Sequence, residues 1–173
     1  MLELARLKGT PRQEIILQTR LGRNVENSQS CKPGRNIYDA YHRLVSEHFT
    51  WRNRKPACGI YNCFGLVWAS RRTSIYDESE IAKILADDGY RQLQNEIHLQ
   101  PGDVVLYLRQ DDRIRDTLHA AIVFRLERIG TAITPWVLSK WSDVYGEDIH
   151  ALHDLPKFEH YRDCLIEFWT DRP

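Results

Sequence analysis

Cys63 is the residue of this sequence with the clearest capacity for chemistry. It heads a short apolar run in the segment 59–70, which follows the i, i+3, i+4, i+7 spacing of one helix face. Asn62 is a favourable N-cap, so Cys63 is predicted to be the first helical residue. Free backbone N–H groups and the helix dipole lower the pKa of a thiol there, and the same N–H groups can hold an oxyanion. The alternative is a buried cysteine that acts only as a small hydrophobe.

A thiolate nucleophile needs a base, usually an imidazole, and often a third polar group that orients the ring. Among the seven histidines, His119 differs because it lies in an otherwise apolar run at 118–124. Ala120 and Ala121 are small and leave room for a helix to cross the strand. A single histidine in a core strand is more often structural, but here we expect the Cys63 helix to meet His119. The histidines expected at the surface are His42, His48, His98, His153 and His160.

The third polar group has two candidates. If the hairpin after His119 turns near Ile129, Ser139 lies across from His119 and can orient its ring. His150 is the competing candidate, because the loop that carries it can approach from the other side. The sequence does not separate the two.

The surrounding pattern predicts elements that can position these residues. Three helices are expected first, followed by a meander of strands, which makes the chain α+β with helices packed on an antiparallel sheet. The expected helices run from Asn36 to about Phe49, from Cys63 to about Arg72 or Thr73, and from Asp77 to Asp87. The expected strands are 104–108, 118–124, 133–141 and 164–169, with a loop at 145–156. Residues 1–35 are weakly patterned and are interpreted as an extension of a domain at 36–173.

Composition excludes several classes of function. The 173 residues fit one domain, and 24 basic against 24 acidic residues give no reason to expect nucleic acid or a membrane surface as a partner. The four cysteines show no C-x-x-C and no zinc spacing, so no metal or cofactor is expected. No secretory leader is recognisable and no apolar run reaches ~18 residues. We therefore expect a cytoplasmic protein with free thiols.

Three motifs resemble those of the NlpC/P60 cysteine hydrolases, which belong to the papain-like superfamily. The segment 62–67, Asn-Cys-Phe-Gly-Leu-Val, resembles Asp-Cys-Ser-Gly-Leu-Val of that family. Segment 101–105 resembles its Pro-Gly-Asp-Leu-Val, and segment 119–123 resembles its His-Val-Gly-Ile-Tyr. Order and approximate spacing agree over residues 57–126. Asn62 and Phe64 depart from the family's Asp and Ser.

The resemblance implies a papain-like or NlpC/P60-like fold with Cys63 as nucleophile, His119 as base and a polar residue beyond as orienter. In that family the third residue is commonly a histidine. Tyr61 resembles a residue often found near the substrate. The family mostly cleaves amide bonds of peptidoglycan peptides and needs no metal. We therefore expect a cysteine peptidase or amidase acting on a peptide or amide. One alternative is a non-catalytic binding domain of the same fold. The other is a toxin or effector that uses the Cys63–His119 pair as an acyltransferase or deamidase.

Overall fold

A seven-stranded antiparallel sheet organises the part of the chain that the structure describes. The structure is a computed structural model that describes residues 14–29, 51–111, 114–157 and 161–173, together with positions 39 and 43. The strands are β1 Arg52–Lys55, β2 Arg91–Leu93, β3 Val104–Asp111, β4 Ile114–Ile129, β5 Ala132–Lys140, β6 Glu147–Ala151 and β7 Leu165–Thr170. Their order across the sheet is β1-β6-β5-β4-β3-β7-β2. The predicted mixed α+β class is confirmed. The helix predicted at 36–49 lies outside the described residues except at Asp39 and Arg43, which are both helical.

Among the elements whose bounds the structure describes, the sheet is accompanied by the helices α1 Cys63–Trp68 and α2 Glu78–Asp87 and by the 3₁₀ turns Glu96–His98 and Leu152–Lys157. The start of α1 and the whole of α2 agree with the prediction. None of the described helices is long and apolar enough to cross a membrane.

Helix α1 ends at Trp68, earlier than expected. The chain turns back directly after it, with positive φ angles of 49° at Ser70 and 67° at Arg71. Gly65 permits this return, because a Cβ atom there would lie 1.8 Å from the carbonyl oxygen of Thr73. The sequence pattern continued to Thr73, but the backbone needs the space beside Gly65 for its way back.

Strands β3 to β5 form the first part of the predicted meander. The next strand beside β5 is β6, whereas the last predicted strand, β7, pairs with the other side of β3. The loop expected at 145–156 is wrong, because it contains β6. Glu147, Asp148 and His150 are all fully buried in that strand. A strand that buries polar side chains has no apolar run to reveal it.

The two outer strands β1 and β2 were not predicted. All four residues of β1, Arg-Asn-Arg-Lys, are exposed, and the strand pairs with β6 through its backbone. It therefore carries no hydrophobic signal in the sequence.

The sheet has two differently packed faces. On the helix-covered face, Leu106 and Ala120 pack with residues of α1 and α2. On the opposite face, Tyr107, Ala121 and Val137 pack with Leu152, Leu155 and Tyr161. The candidate site lies at the end of β5, beside residues that pack on both faces of the sheet.

Candidate active site

Asn62 fixes the start of α1. It is the N-cap residue, and its side-chain oxygen accepts a hydrogen bond from the N–H of Gly65 at 2.9 Å. The same oxygen accepts from the N–H of Ile75 at 3.2 Å, while Nδ2 donates to the carbonyl of Ile75. The amide therefore joins the helix to the returning chain as well as capping it. An aspartate at this position could still accept hydrogen bonds and cap the helix. When ionised, however, it could not donate a hydrogen bond to the carbonyl of Ile75.

The sulfur of Cys63 sits at the first helical position, as predicted, but it is only 7% exposed. Burial raises the pKa of its thiol to about 11, and this outweighs the lowering effect of N–H groups of Ala120, Phe64 and Cys63 that donate to the sulfur. The expected depressed pKa is therefore wrong for the resting protein. At neutral pH the resting group is a thiol surrounded by donors that favour the thiolate.

His119 lies on β4 directly opposite Tyr107 of β3, and it is 1% exposed. Its ring stacks on Trp141 with centroids 6.0 Å apart and meets the edge of Tyr161 at 6.0 Å. Nε2 is buried and has no hydrogen-bond partner among the described residues. Burial, and then the nearby His150, lower the pKa of His119 to about 3, so the ring is neutral at physiological pH.

Cys63 packs against β4 close to His119, but the two side chains lie on opposite faces of the strand. Successive strand residues point to opposite faces, so His119 lies on the face of Tyr107 and Ala120 on the helix-covered face. Cys63 packs in one buried cluster with Ala120, the residue next to His119, and the backbone N–H of Ala120 lowers the pKa of the thiol. Tyr161 contacts the His119 ring, and its own pKa is raised by burial and by the charge of the Cys63 thiolate. The sulfur and the imidazole thus share a neighbourhood, although their side chains emerge on different faces.

Ser139 is not across from His119. The hairpin turns at Gly130 and Thr131, later than expected, and a register shift follows, so Ser139 pairs with Ala121. Its hydroxyl lies 2.6 Å from Nε2 of His150.

The two candidates for the orienting residue therefore bind each other. Nδ1 of His150 faces the carbonyl of Ala151 at 2.9 Å and must carry the ring proton, so the Ser139 hydroxyl donates to Nε2. Burial lowers the pKa of His150 to about 4, which keeps the ring neutral. Neither Ser139 nor His150 satisfies Nε2 of His119.

Tyr61 is buried, and its hydroxyl donates to Glu147 at 2.6 Å. Glu147 also accepts from Arg71 and Arg54, each at 2.6 Å. Burial raises the pKa of Glu147, but the bonds from Arg71, Tyr61 and Arg54 outweigh this and hold it below its usual value. The structure therefore uses Tyr61 in an internal ionic cluster beside the site.

Sequence reasoning missed Lys140, because a lysine near a strand end is expected to face solvent. It is fully buried, and its Nζ donates to the carbonyl of Cys58 at 2.9 Å and to the carbonyl of Tyr145. Nζ also lies 4.9 Å from the centre of the Tyr61 ring. Burial lowers the pKa of Lys140 to about 8.

Two cavities of about 450 Å³ each are found elsewhere. One lies between α2 and the sheet beside Glu78 and Trp169, and the other lies beside Glu80 and the 14–27 segment. Neither is lined by Cys63 or His119. Within the described ranges, no group of His, Cys, Asp and Glu side chains has the arrangement of a metal site.

Comparison with known proteins gives no match, either to a protein-family model, to a curated protein or to a solved structure.

Proposed function

We propose that the protein is a cysteine-dependent amide hydrolase in which Cys63 attacks the carbonyl carbon of a peptide or amide substrate. One observation carries the proposal. The sulfur lies at a helix start, where neighbouring backbone N–H groups lower its pKa, and Cys63 packs in one buried cluster with Ala120, the strand residue next to a buried neutral imidazole. A nucleophile, charge-stabilising donors and a proton acceptor within one small region are the parts that acyl transfer needs.

In the proposed mechanism the neutral thiol and neutral imidazole react together. The Cys63 sulfur forms a bond to the carbonyl carbon while its proton passes to His119. This transfer requires the imidazole, which lies on the other face of β4 at rest, to move toward the sulfur when substrate binds. The imidazolium then protonates the leaving amine, the C–N bond breaks, and a thioester remains. Water adds to the thioester, His119 takes its proton, and loss of the sulfur releases the acid and restores the thiol. The backbone N–H of Cys63 helps to hold the oxyanion in both halves.

We further propose that the fold is papain-like, of the NlpC/P60 type. The three resembling segments support this by their positions. The first begins α1, the second leads into β3, and the third lies on β4, which pairs with β3. That sequence of a cysteine helix, a strand and a histidine strand is the one the resemblance implies.

The proposal is tested by an electrophilic thiol probe, with labelling rates read site by site by mass spectrometry. A thiol of pKa about 11 is expected to label about a hundredfold more slowly than one at the ordinary value of 9.0, since each pKa unit is tenfold in thiolate. If Cys63 is activated, it labels at least as fast as the half-buried Cys58 and Cys164, which are matched controls. We expect Cys63→Ala to abolish this label and His119→Ala to slow it, while both variants lose hydrolysis of amide substrates.

Labelling of Cys63 that is slower than that of both controls, and unchanged in His119→Ala, would overturn the proposal. The second candidate is then a non-catalytic domain of the same fold. The observation that favours it is the 7% exposure of Cys63 together with the unpartnered Nε2 of His119. It predicts that Cys63→Ala destabilises the protein as a core truncation does and changes no reaction.

A further inference from the structure

The ionisable side chain on the sulfur's own face of the sheet is Lys140 rather than His119. The last pair between β4 and β5 joins Ala121 to Ser139, so Lys140 lies one step further on, beside Ala120. It points to the same face as Leu138, which packs against Leu66 of α1. Cys63 and Ala120 pack in one buried cluster on that face. Lys140 and Cys63 therefore flank one residue on one face.

The amine of Lys140 is anchored in the segment that leads into α1. Its Nζ donates to the carbonyls of Cys58 and Tyr145, and it lies over the ring of Tyr61. An ammonium has three N–H groups, so the two carbonyls leave one for another partner. A neutral side chain could fill this space without the cost of desolvating a charge. We therefore expect the buried charge of Lys140 to have a functional role.

The neighbouring acid does not supply that function. Glu147 pairs with Lys140 in the β5–β6 ladder, but its carboxylate is already bound by Arg54, Arg71 and Tyr61. The charge of Asp143 also raises the pKa of Lys140, and the Asp143 carboxylate accepts a hydrogen bond from Tyr76.

We propose that Lys140 is a positioning residue for the proposed hydrolase, a buried cation that stabilises the thiolate of Cys63 during attack. The inference rests on the proposed function for its purpose, but its physical content is a coupling between two side chains. The pKa directions agree with it, since the charge of Lys140 lowers the pKa of Cys63 and that of Cys63 raises the pKa of Lys140. Cys58 has the same effect on Lys140, so the test must separate the two thiols.

The first test measures the pH profile of Cys63 alkylation by iodoacetamide in a Cys58→Ser background. Lys140→Met keeps the length of the stem and removes the charge, Lys140→Arg keeps the charge, and Lys83→Met is the control for loss of a lysine elsewhere. We expect Lys140→Met to slow alkylation of Cys63 at least about tenfold at pH 7, where the Lys140 amine carries its charge, since a tenfold change in thiolate corresponds to one pKa unit. Lys140→Arg should recover most of the loss, and Lys83→Met should match the parent. An unchanged rate at pH 7 in folded Lys140→Met would overturn the inference.

The second test is reciprocal and does not need Lys140 to be replaced. The titration of Lys140 is followed by the NMR shift of its Cε in Cys63→Asp and in Cys63→Ser. Coupling between two sites acts equally in both directions, so the carboxylate of Cys63→Asp should raise the pKa of Lys140 above its value in Cys63→Ser, whose hydroxyl is neutral like the resting thiol. A Lys140 pKa that is the same in both variants would refute the pairing. If Cys63 is coupled to Lys140 but unreactive in every variant, only the proposed hydrolase fails.

Discussion

Asn62→Asp is the most informative single substitution, because it installs the residue that the resembling family carries. The carboxylate can still accept from the N–H groups of Gly65 and Ile75, at 2.9 and 3.2 Å in the native protein. It cannot donate to the buried carbonyl of Ile75, as Nδ2 of Asn62 does. Leaving a buried carbonyl without its donor costs about 1–3 kcal/mol. A charge at the helix N-terminus returns only about 0.3–1 kcal/mol.

We therefore expect Asn62→Asp to destabilise the protein by about 1–2 kcal/mol at pH 7, seen as a lower urea midpoint with unchanged m-value. For a chain of this size that is a fall in Tm of roughly 2–8 °C. The matched control is Asn95→Asp. Asn95 caps the 3₁₀ turn Glu96–His98 through its oxygen alone and is exposed, so the same chemical change there should stay within about 0.5 kcal/mol.

The pH dependence of the stability of Asn62→Asp gives a second test of the same hydrogen bond. The protonated carboxyl can donate to Ile75, so the fold raises the pKa of the introduced acid above its unfolded value. The folded state then binds more protons, and the variant loses stability as pH rises through the folded pKa. The deficit relative to wild type should be smallest below about pH 4 and grow toward neutrality. A variant as stable as wild type at pH 7, or a deficit that shrinks with rising pH, would refute the role of the Nδ2 bond.

Two further predictions concern the packing of the site. Gly65→Ala should cost more than about 3 kcal/mol or prevent folding, since its Cβ would lie 1.8 Å from the Thr73 carbonyl oxygen. Gly22→Ala meets no described atom within 4 Å and should cost only about 1–2 kcal/mol, the cost of a left-handed backbone at φ 77°. Equal urea midpoints for the two variants would contradict the close approach. His119→Phe removes Nε2, which has no hydrogen-bond partner among the described residues, so the Tm should stay equal or rise. Thiol labelling of Cys63 should slow in the same variant. A clear fall in Tm would show that the ring nitrogen has a stabilising partner.

The sequence predicts well those features that depend on neighbouring residues. The N-cap of α1 and the span of α2 follow from Asn62 and Asp77, which bind N–H groups a few residues further along. Strands β3 and β4 follow from their apolar runs. These elements are specified within about ten residues of chain, and local chemistry is enough to find them.

Features set by distant contacts were missed for a physical reason. Strand β6 buries Glu147, which is stable there because Arg54 and Arg71, far along the chain, bind its carboxylate. The partner of Ser139 depends on where the hairpin turns, and two residues of error exchange Ala121 for His119. The pKa of Cys63 was predicted too low because the degree of burial is decided by the whole fold.

The exposed strand β1 has a consequence for the behaviour of the protein at high concentration. It forms one margin of the sheet within the described residues, and an edge strand of this kind can pair with another chain. Its residues Arg52, Arg54 and Lys55 are all exposed, so a second copy arriving there meets like charge. Self-association through this margin is opposed by electrostatic repulsion, which weakens as salt screens it.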